Sequence, residues 1–505
     1  MKRYLNTINK VMLVSLLVLT NIFTLLSNDY NRTITRQEAA DDLEVYFQII
    51  DKQHGNPYQY ISRQAFKQLV LDQVASLPEA LTFKQFEVLL SELNNTLRCG
   101  HTKVGMNASL IRKAIDLPQF FPLPIKIIEG KAYVDFDKSD IPHGAELLTI
   151  NDEDITSLLP ELINLTVTDG FSETKPLREV ESKFGYYYFL KKGASSSFSV
   201  SYKSIIGQVR QTVVKGVAGN TMLANNYYRP INMSHERYNR FTNLDAIDSL
   251  KTLVLTLNTF QANPDWFDQE LGSRYSEEDK EFDFENLVID LRINEGGDRR
   301  LLNTMHQFLT GNKLIDPSNT YTRSQGIEMQ QYVASINGRL RTEESLRGAE
   351  DYLQKYFKDS KEDRFEAPLL NWYDEFEGTP DYKGRKFEGN IYVLISGRTF
   401  SAAADLARIL GQMDNVVLIG EETGGAHVGR AANMLVSYNL PNTSSTLQVP
   451  VIYEEFVNVS ANNVGRGTFP DYSIKTTFQD LIDRKDSVFA YALELISQRN
   501  SFGSN

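Results

Sequence analysis

One cysteine, Cys99, stands in a chain of 505 residues. A single thiol excludes an intramolecular disulfide and any thiolate metal cluster. The six histidines, at 54, 101, 143, 235, 306 and 427, lack the i, i+4 spacing of a helical zinc site, so neither metal nor cofactor is expected. Long apolar runs are scarce too. Only residues 11–26 are uncharged and mostly apolar, and nothing else is long enough to span a bilayer. Positive charge is also in deficit: 53 Lys and Arg face 65 Asp and Glu, a net charge of -12. That balance argues against sequence-independent binding to nucleic acid, which needs a basic footprint. Internal repeats and low-complexity tracts are absent.

What is present suits a soluble protein of several domains, with 41% hydrophobic and 23% charged residues. Without disulfides such a chain relies on its core, and this length allows one. Lys2, Arg3 and Lys10 precede the apolar run, the pattern of a secretory signal peptide over residues 1–28. No small-x-small cleavage site follows, so an uncleaved anchor and membrane association through the N-terminus is the alternative. Either places the bulk of the chain outside the cytoplasm, periplasmic or secreted. The absence of a nearby cysteine argues against a lipid anchor.

Residues 29–115 read as a helical unit. Thr35 with Glu38, and Thr82 with Gln85, have the form of capping boxes, each followed by apolar residues at helical spacing. The run His54-Gly55-Asn56-Pro57 breaks the pattern between them, and the unit closes on Cys99-Gly100-His101-Thr102. Residues 116–218 read as a β module. Strands are expected at 125–128, 132–136, 146–150, 198–202 and 209–214, with a helix starting near Asp154. This order resembles a divergent PDZ domain, in which a sheet edge and groove accept a peptide by strand addition. Residues 219–482 alternate strands and helices, hence α/β. A polar, charged stretch near 311–385 reads as an irregular insertion. A C-terminal helix and tail are expected at 483–505.

Three motifs in the α/β part carry chemistry. LVIDLRINEGGD, at 287–298, is a buried strand entering a Gly-Gly turn, where backbone N–H groups are free to meet a ligand. It lacks the spacing of a dinucleotide site or a P-loop. IYVLISGRTFSAAADLARIL, at 391–410, is a strand, a short turn and a helix beginning at Ser401. A hydroxyl there faces the positive end of a helix, which suits a nucleophile. Serine is also a favoured N-cap, and capping alone is the simpler reading of that position. The third motif is GEETGG at 420–425, followed by FPDYSI at 469–474.

In this order and spacing the three motifs resemble the C-terminal-processing (tail-specific) serine peptidase family, which includes the tricorn core protease. The family's DLRxNxGG reads here as Asp290-Leu291-Arg292-Ile293-Asn294-Glu295-Gly296-Gly297. Its TxSA turn reads Thr399-Phe400-Ser401-Ala402, its GExTxG turn GEETGG, and its GxxPDY motif Gly467-Thr468-Phe469-Pro470-Asp471-Tyr472. The helical unit, PDZ-like module and α/β core follow the family's order over most of residues 35–480. The resemblance implies a Clp/crotonase-like α/β core and a serine-type peptidase.

It also implies roles. Ser401 takes the nucleophile's place, and a serine needs a base. The lysine that one branch places about 25 residues later, in that family's glycine turn, is replaced here by Ala426. The tricorn-like branch instead uses a histidine in a motif like Gly100-His101-Thr102, which makes His101 the general base and acid. His427, one residue past the missing lysine, is the rival, with a loop side chain as its simpler reading. The N–H groups of Gly297 or Gly296 and of Ala402 are the implied oxyanion hole. Asp290 and Arg292 read as a structural pair. No residue matches the family's orienting serine and glutamate: Cys99 and Gly100 precede His101, Asn462, Asn463 and Arg466 stand near the late motif, and Glu454 and Glu455 lie further upstream.

The expected function is an exported serine endopeptidase that cleaves unfolded or tail-exposed polypeptide, with the PDZ-like module presenting the substrate. The alternative is a catalytically impaired homologue that binds a peptide or ligand. The absence of a G-x-S-x-G elbow argues against esterase chemistry.

Overall fold

The computed structural model describes residues 32–105, 115–226, 242–261, 269, 284–359, 364–370, 382, 384–457 and 459–503. The expected signal or anchor at 1–28 lies outside the described residues.

The site is carried by a sheet whose strands read as continuous apolar runs because both its faces are covered. Its order is Thr242–Ile247, Thr252–Leu257, Asn286–Asp290, Asn390–Ile395, Val416–Gly420 and Tyr472–Ser473. The first pair is antiparallel and the rest are parallel, with Leu255 opposite Ile289, Ile289 opposite Val393 and Val393 opposite Leu418. Alternate side chains point to opposite faces. Leu253, Leu255, Ile289, Val393 and Ile395 pack beneath the helices Arg300–Thr310 and Ala402–Leu410. Val254, Val288, Tyr392 and Leu394 pack against Val488, Ala492 and Ile496 of the helix Ser487–Gly503. The C-terminal helix, expected within 483–505, is thus the second cover of this sheet. The α/β fold class is the one expected.

A second, antiparallel sheet lies beside the first. Its centre is the long hairpin Gly429–Asn439 and Thr446–Phe456. The stretch near 311–385 is not irregular, as its polarity suggests, but supplies much of this sheet. Ser318–Thr322 pairs with Thr446–Phe456, Val333–Ile336 pairs with Gly429–Asn439, and Phe365–Leu370 pairs with Ser318–Thr322. The helix Glu343–Tyr356 packs Leu346, Ala349 and Leu353 onto the same core. These strands are short, and only Ser318–Thr322 alternates buried with more exposed residues, so they are easily taken for loop.

The N-terminal helices Arg36–Gln53 and Phe83–Asn95 begin with the two expected capping boxes, both complete. The unit is joined to the second sheet at several places. Lys103–Gly105 adds a strand to Thr446–Phe456, with Lys103 opposite Gln448. Gly55 N donates to Pro450 O at 2.9 Å, and a Cβ at Gly55 would lie 2.7 Å from Tyr453 N. Buried Asp42 accepts from the backbone N–H groups of Asn442 and Thr443, each at 2.9 Å, and from Thr443 Oγ1 at 2.6 Å.

The β module holds Ile125–Ile128, Lys131–Val134, Glu146–Ile150, Ser197–Lys203 and Val209–Lys215 in that order across its sheet. Asp154 caps the helix Ile155–Ile163. Two further helices, Thr174–Ser182 and Phe184–Lys192, are not anticipated by the sequence pattern. Their buried face includes charges that satisfy one another: Glu179 accepts from Lys175 at 2.7 Å and Lys183 at 2.6 Å, and Glu181 accepts from Lys126 at 2.8 Å. An apolar-period search passes over such a face in Thr174–Ser182, whereas Phe184–Lys192 buries Phe184, Tyr187, Tyr188, Phe189 and Leu190.

Asp42 offers a test of the docking between helical unit and sheet. Asp42→Ala leaves buried N–H donors unmet, a loss of about 2–3 kcal/mol. The expected outcome is a lower apparent Tm in differential scanning calorimetry; an unchanged first transition would show that the unit is held elsewhere.

Candidate active site

The apolar strand Asn390–Ile395 delivers the chain to a tight turn, and the helix Ala402–Leu410 leaves it. Between them Ser401 has φ 53° and ψ -129°, outside the ordinary regions for an L-residue. Its side chain makes no capping hydrogen bond. The simple N-cap reading therefore fails, and the hydroxyl is left for other use. Strain of this kind persists only where the surroundings impose it. Here Phe400 N donates to Asn294 O at 3.0 Å, Thr399 Oγ1 donates to Leu291 O at 2.9 Å, and Gly424 N donates to Thr399 O at 3.0 Å.

Ser401 Oγ lies 3.0 Å from His101 Nε2. The histidine is buried, and its ring stacks on Phe400 with centroids 4.7 Å apart. Its backbone carbonyl accepts from Gln448 Nε2 at 3.1 Å. Gly100 is needed beside it, because a Cβ there would sit 2.6 Å from Phe400 Cζ. Burial, then Arg430 and Lys103, hold the His101 pKa well below the usual histidine value. The imidazole is thus neutral at neutral pH, the form that accepts a proton.

The other ring nitrogen faces an acid that the sequence motifs do not mark. Asp169 Oδ1 lies 3.9 Å from His101 Nδ1, and both side chains are buried. Nδ1 and Asp169 Oδ2 are each without a hydrogen-bond partner among the described residues. Asp169 Oδ1 accepts from Gly100 N at 2.7 Å, which fixes the carboxylate against the histidine's own loop. Gly170 N donates to Arg98 O at 2.8 Å and anchors the same loop. Burial raises the Asp169 pKa to about 6, against the opposing pull of Arg430 and of the Gly100 and Ala426 N–H groups. The residue sits in the β module, well apart in sequence from both partners, so no local spacing points to it.

The glycine turn backs directly onto the serine. Gly296 has φ 94°, and a Cβ on it would lie 2.7 Å from Ser401 Cβ and 2.9 Å from Ala402 N. Its N–H donates to Asn294 Oδ1 at 2.9 Å. Gly296 is therefore a spacer whose donor is already spent. The N–H groups of Gly297 and Ala402 have no acceptor among the described residues. Both are next to Ser401, one through the turn and one along the chain, as an oxyanion hole requires. Asn294, quoted in the motif but given no role there, organises this corner: Nδ2 donates to Leu257 O at 3.0 Å while Oδ1 holds Gly296.

Other candidates fall elsewhere. His427 Nδ1 pairs with Thr468 Oγ1 at 3.0 Å, and the ring is half-buried rather than a free loop side chain. Ala426, where a lysine would stand, is buried and bridges to Gly467. Glu454 is engaged by Arg299 at 2.6 Å and by Asn433. Asp290 and Arg292 form the expected structural pair at 2.7 Å, extended by Asp486. His101 and Ser401 open on a cavity of about 490 Å³, room for several residues of an extended chain. No group of His, Cys, Asp and Glu suited to a metal ion occurs among the described residues.

Residues 251–474 match the model of peptidase family S41. No curated protein matches the chain. Among solved structures, mature CPAF is similar at a TM-score of 0.60 and 16% identity, over 91% of this chain and 96% of that one. Mature CPAF complexed with lactacystin is similar at 0.58 and 15%, over 91% and 98%. At such identity these two speak for the fold alone. The family match lies on the sheet, glycine turn and serine turn that build the site: residues 251–474 are similar to the serine-type peptidases of family S41.

Proposed function

We propose that the chain is an exported endopeptidase that cleaves unfolded or tail-exposed polypeptide with Ser401 as nucleophile and His101 as general base. The observation that carries this reading is the 3.0 Å contact between His101 Nε2 and an uncapped, strained Ser401. In the proposed reaction Ser401 Oγ attacks the scissile carbonyl carbon while its proton passes to His101 Nε2. The oxygen of the tetrahedral intermediate takes hydrogen bonds from the Gly297 and Ala402 N–H groups. Collapse breaks the C–N bond, and His101 returns the proton to the leaving amine. Water, deprotonated by the same nitrogen, then releases the acyl group from Ser401. Asp169 orients the imidazole and stabilises its charged form; the 3.9 Å gap to Nδ1 shortens in the productive complex.

Export rests on the basic and apolar N-terminus. Peptide docking on the β module is supported by its exposed edge strand Val209–Lys215, which has one paired neighbour, Ser197–Lys203.

The direct test is degradation of an unfolded protein by the purified chain. Ser401→Ala and His101→Ala, shown by circular dichroism to be folded, are expected to lose at least about 1,000-fold in rate. Full activity in either would reject the pair.

The pH profile tests Asp169. Its carboxyl ionises at about 6, whereas His101 protonates well below 6.5. The parent's kcat/KM is expected to fall as pH drops through about 6, where Asp169 becomes neutral. In Asp169→Asn, kcat drops with little change in KM, and the remaining acid limb moves lower, to where His101 protonates. A limb that stays in place sinks the positioning role.

Stability should move in the opposite sense. The folded state holds the Asp169 proton more tightly than an unfolded chain, whose carboxyl titrates near 3.8. Stability is therefore greatest at low pH in this respect and declines from about 4 to about 6. Asp169→Asn is expected to flatten that decline in Tm.

A further inference from the structure

We propose that the cleft beside Ser401 contains a carboxylate-binding subsite centred on Lys103, so that favoured polypeptides present an anion there, as an Asp or Glu side chain or as their own C-terminal carboxylate. What enters the cleft rests on the peptidase reading above; the presence of a cationic subsite does not.

Lys103 opens the strand Lys103–Gly105, two residues beyond His101, and its place is fixed by pairing opposite Gln448. It lines the same cavity as Ser401, His101 and Gly297. The other cations of that wall have partners. Lys175 and Lys183 share Glu179 at 2.7 and 2.6 Å, Arg299 meets Glu454 at 2.6 Å, and Arg430 meets Asp405 at 2.5 Å. The Lys103 side chain has no hydrogen bond or ion pair among the described residues. Its side chain is exposed, yet to the cleft rather than to open solvent. The surrounding walls desolvate it and Lys175 and Lys183 repel it, which outweighs the pull of Glu179 and Glu295 and holds its pKa below the usual lysine range. A cation kept in such a place is stabilised by any carboxylate that arrives.

The setting makes this specific. The chain carries a net charge of -12, so an unpaired cation in its cleft is not a sample of a generally basic surface. Glu295, the next carboxylate on the wall, is held by Arg398 at 2.9 Å. Glu87 also lines the cavity, but burial raises its pKa to about 8, so it is mainly protonated at neutral pH and does not cancel Lys103. A substrate carboxylate at this point would lie on the path of the chain bound to Ser401 and would select register as well as affinity.

The test uses internally quenched peptides with one neutral parent sequence. One series carries a single Asp at successive positions; each peptide is made with a free and with an amidated C-terminus. The quantity read is the ratio of kcat/KM between acidic and neutral peptide within one enzyme, which cancels any general effect of Lys103 on His101. A preference of about tenfold is expected in the parent, the worth of one charge-assisted hydrogen bond. The ratio should approach one in Lys103→Met, persist in Lys103→Arg, and invert toward Lys-bearing peptides in Lys103→Glu. Loss of the preference on amidation assigns the carboxylate to the chain terminus; dependence on Asp position assigns it to a side chain. Binding of the same peptides to Ser401→Ala, followed by fluorescence anisotropy, reads the subsite without turnover. Lys103-dependent binding with no cleavage by the parent would uphold the subsite and overturn the peptidase reading. No acidic preference in the parent, or a preference that survives Lys103→Met, would overturn the subsite.

Discussion

The contact between His101 and Ser401 joins side chains 300 residues apart, and most of the architecture serves to close that distance. Ser401 is placed by the α/β sheet, whereas His101 is placed by a helical unit that could not reach it unaided. The second sheet is the bridge. Its long hairpin carries Lys103–Gly105 as an added strand, accepts the turn at Gly55, and presents Asn442 and Thr443 to Asp42. These are backbone-directed hydrogen bonds in buried surroundings, where geometry is strict and an unmet donor is costly. His101, the proposed base, is therefore positioned by docking of one unit on another, and any loosening of that interface is felt first at the 3.0 Å contact.

The same logic governs close approach. A Cβ at Gly100 would strike Phe400, and one at Gly296 would strike Ser401 itself. The histidine ring stacks on Phe400 beside the serine turn, so the strained backbone at Ser401 is held by packing from one side and by Asn294 from the other. Only a residue without a side chain fits between Ser401 and the donors that would serve an oxyanion there. Glycine here is set by distance as much as by torsion.

How much of this was legible depended on whether the signal was local. The capping boxes at Thr35 and Thr82, the cap at Asp154 and the apolar strands 287–291 and 391–395 are local, and the structure has them. Ser401 and His101 were legible because each sits in a short ordered motif. Asp169 was not: it belongs to a loop of a different module, and only the fold brings it to Gly100. The helix Thr174–Ser182 escaped because its inward face is made largely of ion-paired residues, Lys175, Glu179 and Glu181, rather than apolar ones. The strands within 311–385 escaped because a sheet with one wet face needs few apolar positions per strand. For Gly296, the motif could not reveal that Asn294 already takes its N–H.

The electrostatics of the cleft tie base and substrate together. His101 is kept neutral first by burial and then by the cations Arg430 and Lys103. Arg430 is hydrogen-bonded to Asp405, whereas the Lys103 side chain has no hydrogen-bonded partner among the described residues and feels Glu179 and Glu295 only at a distance. On the proposal that a substrate carboxylate meets Lys103, binding would remove one of the charges that depress His101. Its pKa would then rise toward the range in which an imidazole takes a proton most effectively at neutral pH. Linkage makes the effect reciprocal: an imidazolium forming during acyl transfer would in turn favour the bound anion. The empty cleft would hold a weak base, and the loaded cleft a stronger one. A serine hydroxyl next to a depressed histidine is a poor nucleophile toward stray small esters, and the substrate itself would supply the charge that corrects it.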